Sequence, residues 1–305
     1  MLHMVAKLHY VSDMAQIDIA RKLGISTATV SRMLQKARAV GIVRIDVIDL
    51  VSPEEITAEL MAALGLKAAA VIDTPQSGVL GALAEPLGGL LKAAGLGDGA
   101  VIGFGWGRAV REVVLAGLPP LGDAKVVPLN GGMQQAAPHF QINEFVRLAA
   151  EQIGGQPHFL HAPYLSSLEL RDAFLSDPSV KETIALWDRL DCAIVGIGLT
   201  HAPQPSEASA ATASEKALID AAGDVIRHYV ALDGRLLPWD GEERMIAASP
   251  EQMRRTPISI GVVASPEKAA GVIGAVRSGM INTLVTDTTT AQAIIDLISG
   301  KGDPN

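Results

Sequence analysis

In the stretch Ser26-Thr27-Ala28-Thr29-Val30-Ser31-Arg32-Met33-Leu34-Gln35-Lys36, the polar residues Thr27, Ser31 and Gln35 recur every four positions, and Ala28 and Arg32 run beside them. On a helix that spacing makes one face. A face with small side chains at its N-terminal end and an arginine one turn further on can enter a major groove about 12 Å wide and donate to base edges. Arg32 is the strongest candidate, since a guanidinium pairs bidentately with guanine and discriminates by about 1–3 kcal/mol. Gln16, Ser26 and Thr29 border the face. Lys36, Arg38 and Arg44 are suited to phosphate contacts, the alternative being solvated surface charge.

A second set of residues lies in the body of the chain. Gly103-Phe104-Gly105-Trp106-Gly107-Arg108-Ala109 puts glycines, which let backbone approach an anion, just ahead of a helix start with its free N–H groups. It is not a dinucleotide fingerprint, because the third glycine of G-x-G-x-x-G falls on Arg108. Asn130-Gly131-Gly132-Met133-Gln134, Gly196-Ile197-Gly198 and Ala264-Ser265-Pro266-Glu267-Lys268 follow other apolar runs in the same way. One such cluster alone reads as a tight strand-to-helix turn; four at one edge of a sheet favour a pocket. Trp106 reads as packing under its loop, with stacking on a sugar as the alternative. Lys268 reads as a ligand contact rather than a surface lysine.

These groups need elements to hold them. Ile17, Ala20 and Leu23 share a face of a short helix, Gly24 stands where its C-terminus wants a left-handed residue, and Ser26 can cap the next helix. There Val30, Met33, Leu34, Ala37 and Val40 form a core stripe and Gly41 ends it. Ile42 to Val47 alternates like a strand, so the expected unit is a winged helix-turn-helix over residues 1–52. Any amphipathic hairpin carries such stripes, and charge favours the DNA-binding reading. Residues 1–50 hold seven lysines and arginines against four aspartates, a net +3; with −8 for the whole chain, the remainder carries −11. A basic head on an acidic body suits capture of a polyanion by the head alone.

The 305 residues allow that head and one large domain, expected at 53–305 because Ser52-Pro53-Glu54-Glu55 supplies a cap, a first-turn proline and acidic first-turn residues. Apolar runs at Ala68–Asp73, Ala100–Phe104, Lys125–Leu129, Cys192–Ile197, Pro257–Val263 and Asn282–Asp287 read as strands. Val79–Ala94, Arg108–Ala116, Asn143–Ile153, Glu267–Ser278 and Thr289–Ile298 read as helices between them. The alternation predicts a Rossmann-like α/β domain: a mostly parallel sheet covered on both faces, with ligands beyond the C-terminal strand ends.

A hydrophobic content of 49% excludes disorder. The lone Cys192 sits in an apolar run and reads as a buried strand residue; one cysteine permits no internal disulfide, in keeping with a reducing cytoplasm. The seven histidines are scattered, and His158 and His161 have no cysteine or carboxylate nearby, so no metal site is expected. Glu85, Lys92, Asp98 and Arg108 cut the apolar runs below the roughly 18 residues of a membrane span, and no signal peptide precedes the head. The expectation is a soluble cytoplasmic protein with no membrane partner and no cofactor.

Taken in order, several segments resemble the SorC family of bacterial sugar-responsive transcriptional regulators, also called SorC/DeoR, over nearly the whole chain. They are Gln16-Ile17-Asp18-Ile19-Ala20, Val30-Ser31-Arg32-Met33-Leu34, Ala37 to Val43, Gly105-Trp106-Gly107-Arg108, Leu129-Asn130-Gly131-Gly132, Val195-Gly196-Ile197-Gly198 and Asn282 to Asp287. The resemblance implies a winged helix-turn-helix joined to an effector domain similar to sugar-phosphate isomerases, working as a homodimer or homotetramer on double-stranded operator DNA. It further implies an anion site lined by the backbone of Gly105, Trp106, Gly107, Arg108 and Ala109, with Lys268 meeting a phosphate. Asn130, Gly131, Gly132 and Gln134 would line the pocket floor, and Asp224 would accept from sugar hydroxyls. The chain departs from the family pattern at three places. Ala109 replaces a common hydroxyl residue, Ala264-Ser265 replaces a common glycine pair, and Thr27 stands where arginine is common. The first two leave a neutral sugar or polyol open beside a sugar phosphate, and the third changes the operator sequence read.

The function expected is a ligand-responsive regulator, with repression relieved by the effector, of a carbohydrate or polyol operon. The alternative is a sugar-phosphate isomerase-like enzyme carrying a DNA-binding appendage. Asp224 and Glu267 would then be the candidate bases, but no neighbouring histidine forms an acid–base pair with either.

Overall fold

Gly24, at φ +66°, lets the chain reverse between α2 (Gln16–Leu23) and α3 (Thr27–Ala39), a left-handed backbone that a side chain would strain. Ser26 caps α3, its Oγ accepting from the Thr29 N–H at 3.2 Å and meeting the Thr29 hydroxyl at 2.8 Å. With α1 (Leu2–Tyr10), these helices close a small core of Val5, Ile19, Ala20, Val30 and Leu34. The buried face of α2 differs from the one expected. Ile17 is 60% exposed, and Ile19 joins Ala20 and half-buried Leu23. Both sets have helical spacing, and packing against α1 and α3 selects the second. In α3, Val30, Leu34 and Ala37 are buried as expected and Met33 is half-buried, but Val40 is exposed because the helix ends at Ala39.

The computed structural model describes residues 1–43, 52–133, 141–198, 215 and 218–300. Arg44, Gln134 and the expected wing strand from Arg44 onward lie outside the described residues. The chain divides into two units, Met1–Val51 and Ser52–Asn305. The second opens with α4 (Pro53–Leu64), whose reciprocal cap joins the Glu55 N–H to Ser52 Oγ and the Ser52 N–H to Glu55 Oε2, each at 3.2 Å.

Seven strands form a parallel row: β1 (Ala68–Ile72), β2 (Val101–Phe104), β3 (Lys125–Pro128), β4 (Gln156–Pro157), β5 (Cys192–Gly198), β9 (Ile258–Val262) and β10 (Thr283–Asp287), in the order β1-β10-β9-β5-β2-β3-β4. An antiparallel arm of β6 (Gly223–Val225), β7 (His228–Val230) and β8 (Leu236–Leu237) continues from the end of β5. The sequence pattern did not reveal this arm, because strands of two or three residues are too short for a period to show.

Side chains alternate between two cores. Ala193, Val195 and Ile197 of β5 join α4, α12 (Ala269–Arg277) and α13 (Thr288–Ile298). Cys192 and Ile194 join α6 (Ala84–Ala93), α7 (Arg108–Ala116) and α8 (Ile142–Ile153). Burial pushes the Cys192 thiol up, out of reach of reactivity. The helix expected over Val79–Ala94 is broken into α5 (Val79–Ala82) and α6. Pro86 has no N–H for the Ala82 carbonyl and its ring crowds that position. The described residues of this unit also include the shorter helices α9 (Leu168–Ser176), α10 (Pro178–Ala185) and α11 (Pro250–Arg255). Among the described residues no helix is long and apolar enough to cross a membrane.

The chain runs from β2 through β3 to β4 in one direction and from β5 through β9 to β10 in the other. The order therefore reverses between β2 and β5, and such a reversal opens a crevice beyond the strand ends where ligands bind.

Candidate functional site

Two of the glycine-bearing segments and the turn that carries Lys268 meet at that crevice. After β2, a Cβ on Gly105 would lie 2.9 Å from Ile226 Cγ2 and 3.1 Å from Val195 Cγ1, so only glycine fits comfortably. The Gly105 N–H is spent on the Ile194 carbonyl at 2.9 Å. Gly107, at φ +132°, leads into α7, and among the described residues no side chain caps that helix, which leaves its N-terminal partial positive charge in place. At the end of β5, a Cβ on Gly198 would lie 1.8 Å from Asp224 Oδ1, so the glycine is what admits the carboxylate. Lys268, closing the 3-10 turn Pro266–Lys268, donates from Nζ to the Ile197 carbonyl at 2.6 Å. Burial holds its amine below the usual lysine value, Asp224 opposing the fall and Arg108 adding to it. Asp224, Lys268 and the start of α7 at Arg108 thus act on one another at one place.

Beneath them lies a buried charged cluster. Arg227 reaches Tyr229 Oη at 3.2 Å and Glu215 Oε1 at 3.7 Å through Nη1, and its guanidinium carbon sits 5.9 Å from the centre of the Trp106 ring. Glu215, fully buried, accepts from Tyr229 Oη at 2.9 Å and Tyr164 Oη at 3.3 Å. Burial would lower Arg227, but Asp224, Tyr229 and Glu215 outweigh it and hold the guanidinium above its usual value. Burial, with Glu215 beside Tyr164 and Asp224 beside Tyr229, raises both phenols, so each stays a neutral donor. Trp106 packs edge-on to Tyr164 at 4.9 Å between centroids.

The turn that carries Arg227 is strained. Ile226 and Arg227, between β6 and β7, have φ of +44° and +69°. A two-residue hairpin with both central residues left-handed favours Asn-Gly, and other residues cost about 1–2 kcal/mol each. Burial of Ile226 over Gly105 offsets part of that.

The β3 edge is committed mostly to its own packing. The Gly131 N–H donates to the Ile246 carbonyl at 2.8 Å and the Gly132 N–H to the Ala162 carbonyl at 2.9 Å. A Cβ on Gly131 would lie 2.6 Å from the Pro163 carbonyl, which explains that glycine without a ligand. Asn130 is fully buried, with Nδ2 on the Gly131 carbonyl at 3.2 Å and Oδ1 without a partner among the described residues. Ala109 is buried behind the start of α7. A separate groove of about 750 Å³, lined by Glu85, Gly89, Lys92 and Pro119 among others, lies at the opposite end of α7 and gathers no comparable polar cluster.

In the other unit, the cap residue Ser26 and Thr27, Ala28, Ser31, Arg32, Lys36 and Arg38 of α3 are exposed, while Thr29 of α3 and Gln16 of α2 are half-buried. Among the described residues, the ion pair in this unit is Arg21 with Asp18 at 3.0 Å, and Arg32, Lys36 and Arg38 have no acidic partner.

A family model described as "Putative sugar-binding domain" matches residues 49–296. The sorbitol operon regulator of Klebsiella pneumoniae is 31% identical over 304 residues, covering 95% of this chain and 96% of that protein. The crystal structure of that full-length regulator, SorC, superposes with a TM-score of 0.74 at 29% identity, over 96% of this chain and 97% of that one. The chain belongs to the SorC family. The erythritol catabolism regulatory protein EryD of Brucella abortus is 28% identical over 316 residues, 97% of this chain and 96% of its own. As a SorC-family member the chain is a sugar-responsive transcriptional regulator with a mixed α/β body.

Within this SorC-family site, the structure brings together Gly105, Trp106, Gly107, Arg108, Asp224 and Lys268 from the sequence reading. Asn130, Gly131 and Gly132 sit on the adjoining β3 edge. Arg227, Glu215, Tyr164 and Tyr229 were not foreseen. Their only sequence signal was Asp224-Val225-Ile226-Arg227, a tight turn written without glycine or asparagine.

Proposed function

We propose that this regulator reads double-stranded operator DNA through α3 of a winged helix-turn-helix, and that a sugar, polyol or sugar phosphate bound at the β2–β5 crevice controls that reading. The observation that carries it is the meeting of Asp224, Lys268 and the uncapped start of α7 at the point where the strand order reverses. Asp224 accepts from effector hydroxyls, and Lys268 with the α7 N–H groups takes an anionic end. On α3, Arg32 and the short side chains Thr27, Ala28 and Ser31 face bases, and Lys36 and Arg38 face phosphates.

The chain works as a homodimer or homotetramer. Two heads must meet half-sites about 34 Å apart, so an effector that favours one arrangement of subunits switches binding. Release of a repressed operon by its own effector is the direction we propose. In this reading the protein binds its ligand without turning it over, and His228, next to Arg227, contacts Glu242 Oε1 at 3.2 Å and the Ala248 carbonyl at 2.9 Å.

The test is thermal unfolding of the full chain with sorbitol, erythritol, ribose and the monophosphate of each. At 100 times its dissociation constant an effector adds about 2.7 kcal/mol to the folded state. Stabilisation by a phosphorylated compound, lost in Lys268→Ala, supports the anion site. Stabilisation only by neutral compounds removes Lys268 from it.

A further inference from the structure

Asp224 is the middle residue of β6, paired with Tyr229, and Arg227 is the second of the two loop residues that join β6 to β7. The Arg227 main-chain N–H donates to Asp224 Oδ2 at 3.0 Å, fixing one carboxylate oxygen. Asp224 Oδ1 lies against Gly198 at the crevice. Arg227 donates through its main-chain N–H and Nη1, and among the described residues no acceptor takes Nε or Nη2 beside the Trp106 ring. A simple structural turn here would carry glycine or asparagine and involve no strain. Strain held by two bulky residues at a ligand crevice points from the outlier to a function.

We propose that Arg227 is a specificity-determining residue of the effector site, reading a vicinal diol together with Asp224. One hydroxyl of the pair donates to the carboxylate, and the oxygen of its neighbour accepts from the guanidinium. A carboxylate alone accepts from any hydroxyl; a carboxylate and a guanidinium held on one turn demand two adjacent oxygens. Trp106, with the guanidinium over its ring, walls the pair and keeps the fork in one orientation. The left-handed backbone at Ile226 and Arg227 holds both groups on the same side, and Ile226 wedged over Gly105 anchors the turn.

This inference rests on the crevice being the effector site, and its test separates the two ideas. The full chain is titrated with the panel member that gives the largest thermal shift and with each monodeoxy analogue of that compound. Two variants are compared with the unaltered protein. Arg227→Lys keeps a charge beside Glu215, and Arg227→Gly is combined with Glu215→Gln so that no buried carboxylate is stranded. In the unaltered protein, the deoxy analogues at two adjacent carbons bind at least ten-fold more weakly than the parent. In the double variant the penalty at one of those two carbons falls below two-fold, with Arg227→Lys intermediate.

Unchanged deoxy penalties in both variants, with effector binding lost in Asp224→Asn and Lys268→Ala, would overturn the role of Arg227 and leave the site standing. If Asp224→Asn, Lys268→Ala and the Arg227 variants all bind as the unaltered protein does, the site assignment itself fails, and the diol proposal with it.

Discussion

The α3 surface and the β2–β5 crevice both rest on arginine and lysine, yet they use them in opposite ways. On α3, Arg32, Lys36 and Arg38 stand in solvent with no acidic partner among the described residues. At the crevice, Lys268 is held on a carbonyl and Arg227 between Glu215, Tyr229 and Trp106. Exposed cations attract a polyanion over a Debye length, about 8 Å at physiological salt, and yield little specificity alone. Buried cations act only at contact, on a ligand whose oxygens match their fixed positions. The two regions therefore differ in what a mutation should do: stability and ligand choice at the crevice, affinity and salt dependence on α3.

The sharpest contrast is between the two kinds of charge loss. Glu215→Ala takes one of two carboxylates from buried Arg227 and the shared acceptor from Tyr164 and Tyr229, and should cost about 1–3 kcal/mol of folding stability, measured by urea unfolding, whereas Arg32→Ala should leave unfolding unchanged. A Glu215→Ala protein as stable as its parent would mean the cluster is hydrated and the comparison is wrong. Next in size, Arg32→Ala should weaken binding to the cognate operator by about 1–3 kcal/mol while barely affecting random DNA; equal loss on both would demote Arg32 to a phosphate contact. Ser26→Ala removes the α3 cap and should destabilise the N-terminal unit by about 1 kcal/mol, read from its own amide exchange. The smallest effect is that of Lys36→Ala, which should lower the slope of log affinity against log salt by about 0.9 if it neutralises one phosphate.

Lys268 adds a pH signature. Its folded pKa lies below the ordinary 10.5, so between the two values the unfolded chain binds more protons and stability rises with pH across that window. Affinity for a phosphorylated effector runs the other way: it falls as Lys268 loses its proton, at a lower pH than for an exposed lysine. Lys268→Met should abolish both trends, as calorimetry over an alkaline series would show.

How much of this was visible in the sequence depended on the length of the signal. The α3 face and the Ser26 cap were readable, because thirteen helical residues repeat their pattern several times. The six long strands were readable as apolar runs, and the order of glycines and strand ends placed Gly105, Gly198 and Lys268 at one edge. Ile17 misled because two helical stripes were equally periodic and only packing against α1 and α3 chose between them. The close packing of Gly131 against Pro163 was not legible, because it is a contact 32 residues away that no local pattern carries. Arg227 was missed for the same reason: its partners Trp106, Tyr164 and Glu215 come from distant segments, and the strands flanking it are three residues each. Local chemistry was legible; long-range neutralisation was not.

The most direct measurement is fluorescence anisotropy of the full chain on DNA from upstream of its own gene and on a scrambled duplex, at 150 mM salt, with and without the compound that stabilises it most. The account predicts binding to the upstream DNA at least about a thousand-fold tighter than to the scrambled duplex, shifted by the effector but not once Asp224→Asn is introduced. Equal affinity for the two duplexes, or an effector shift that survives Asp224→Asn, would contradict it.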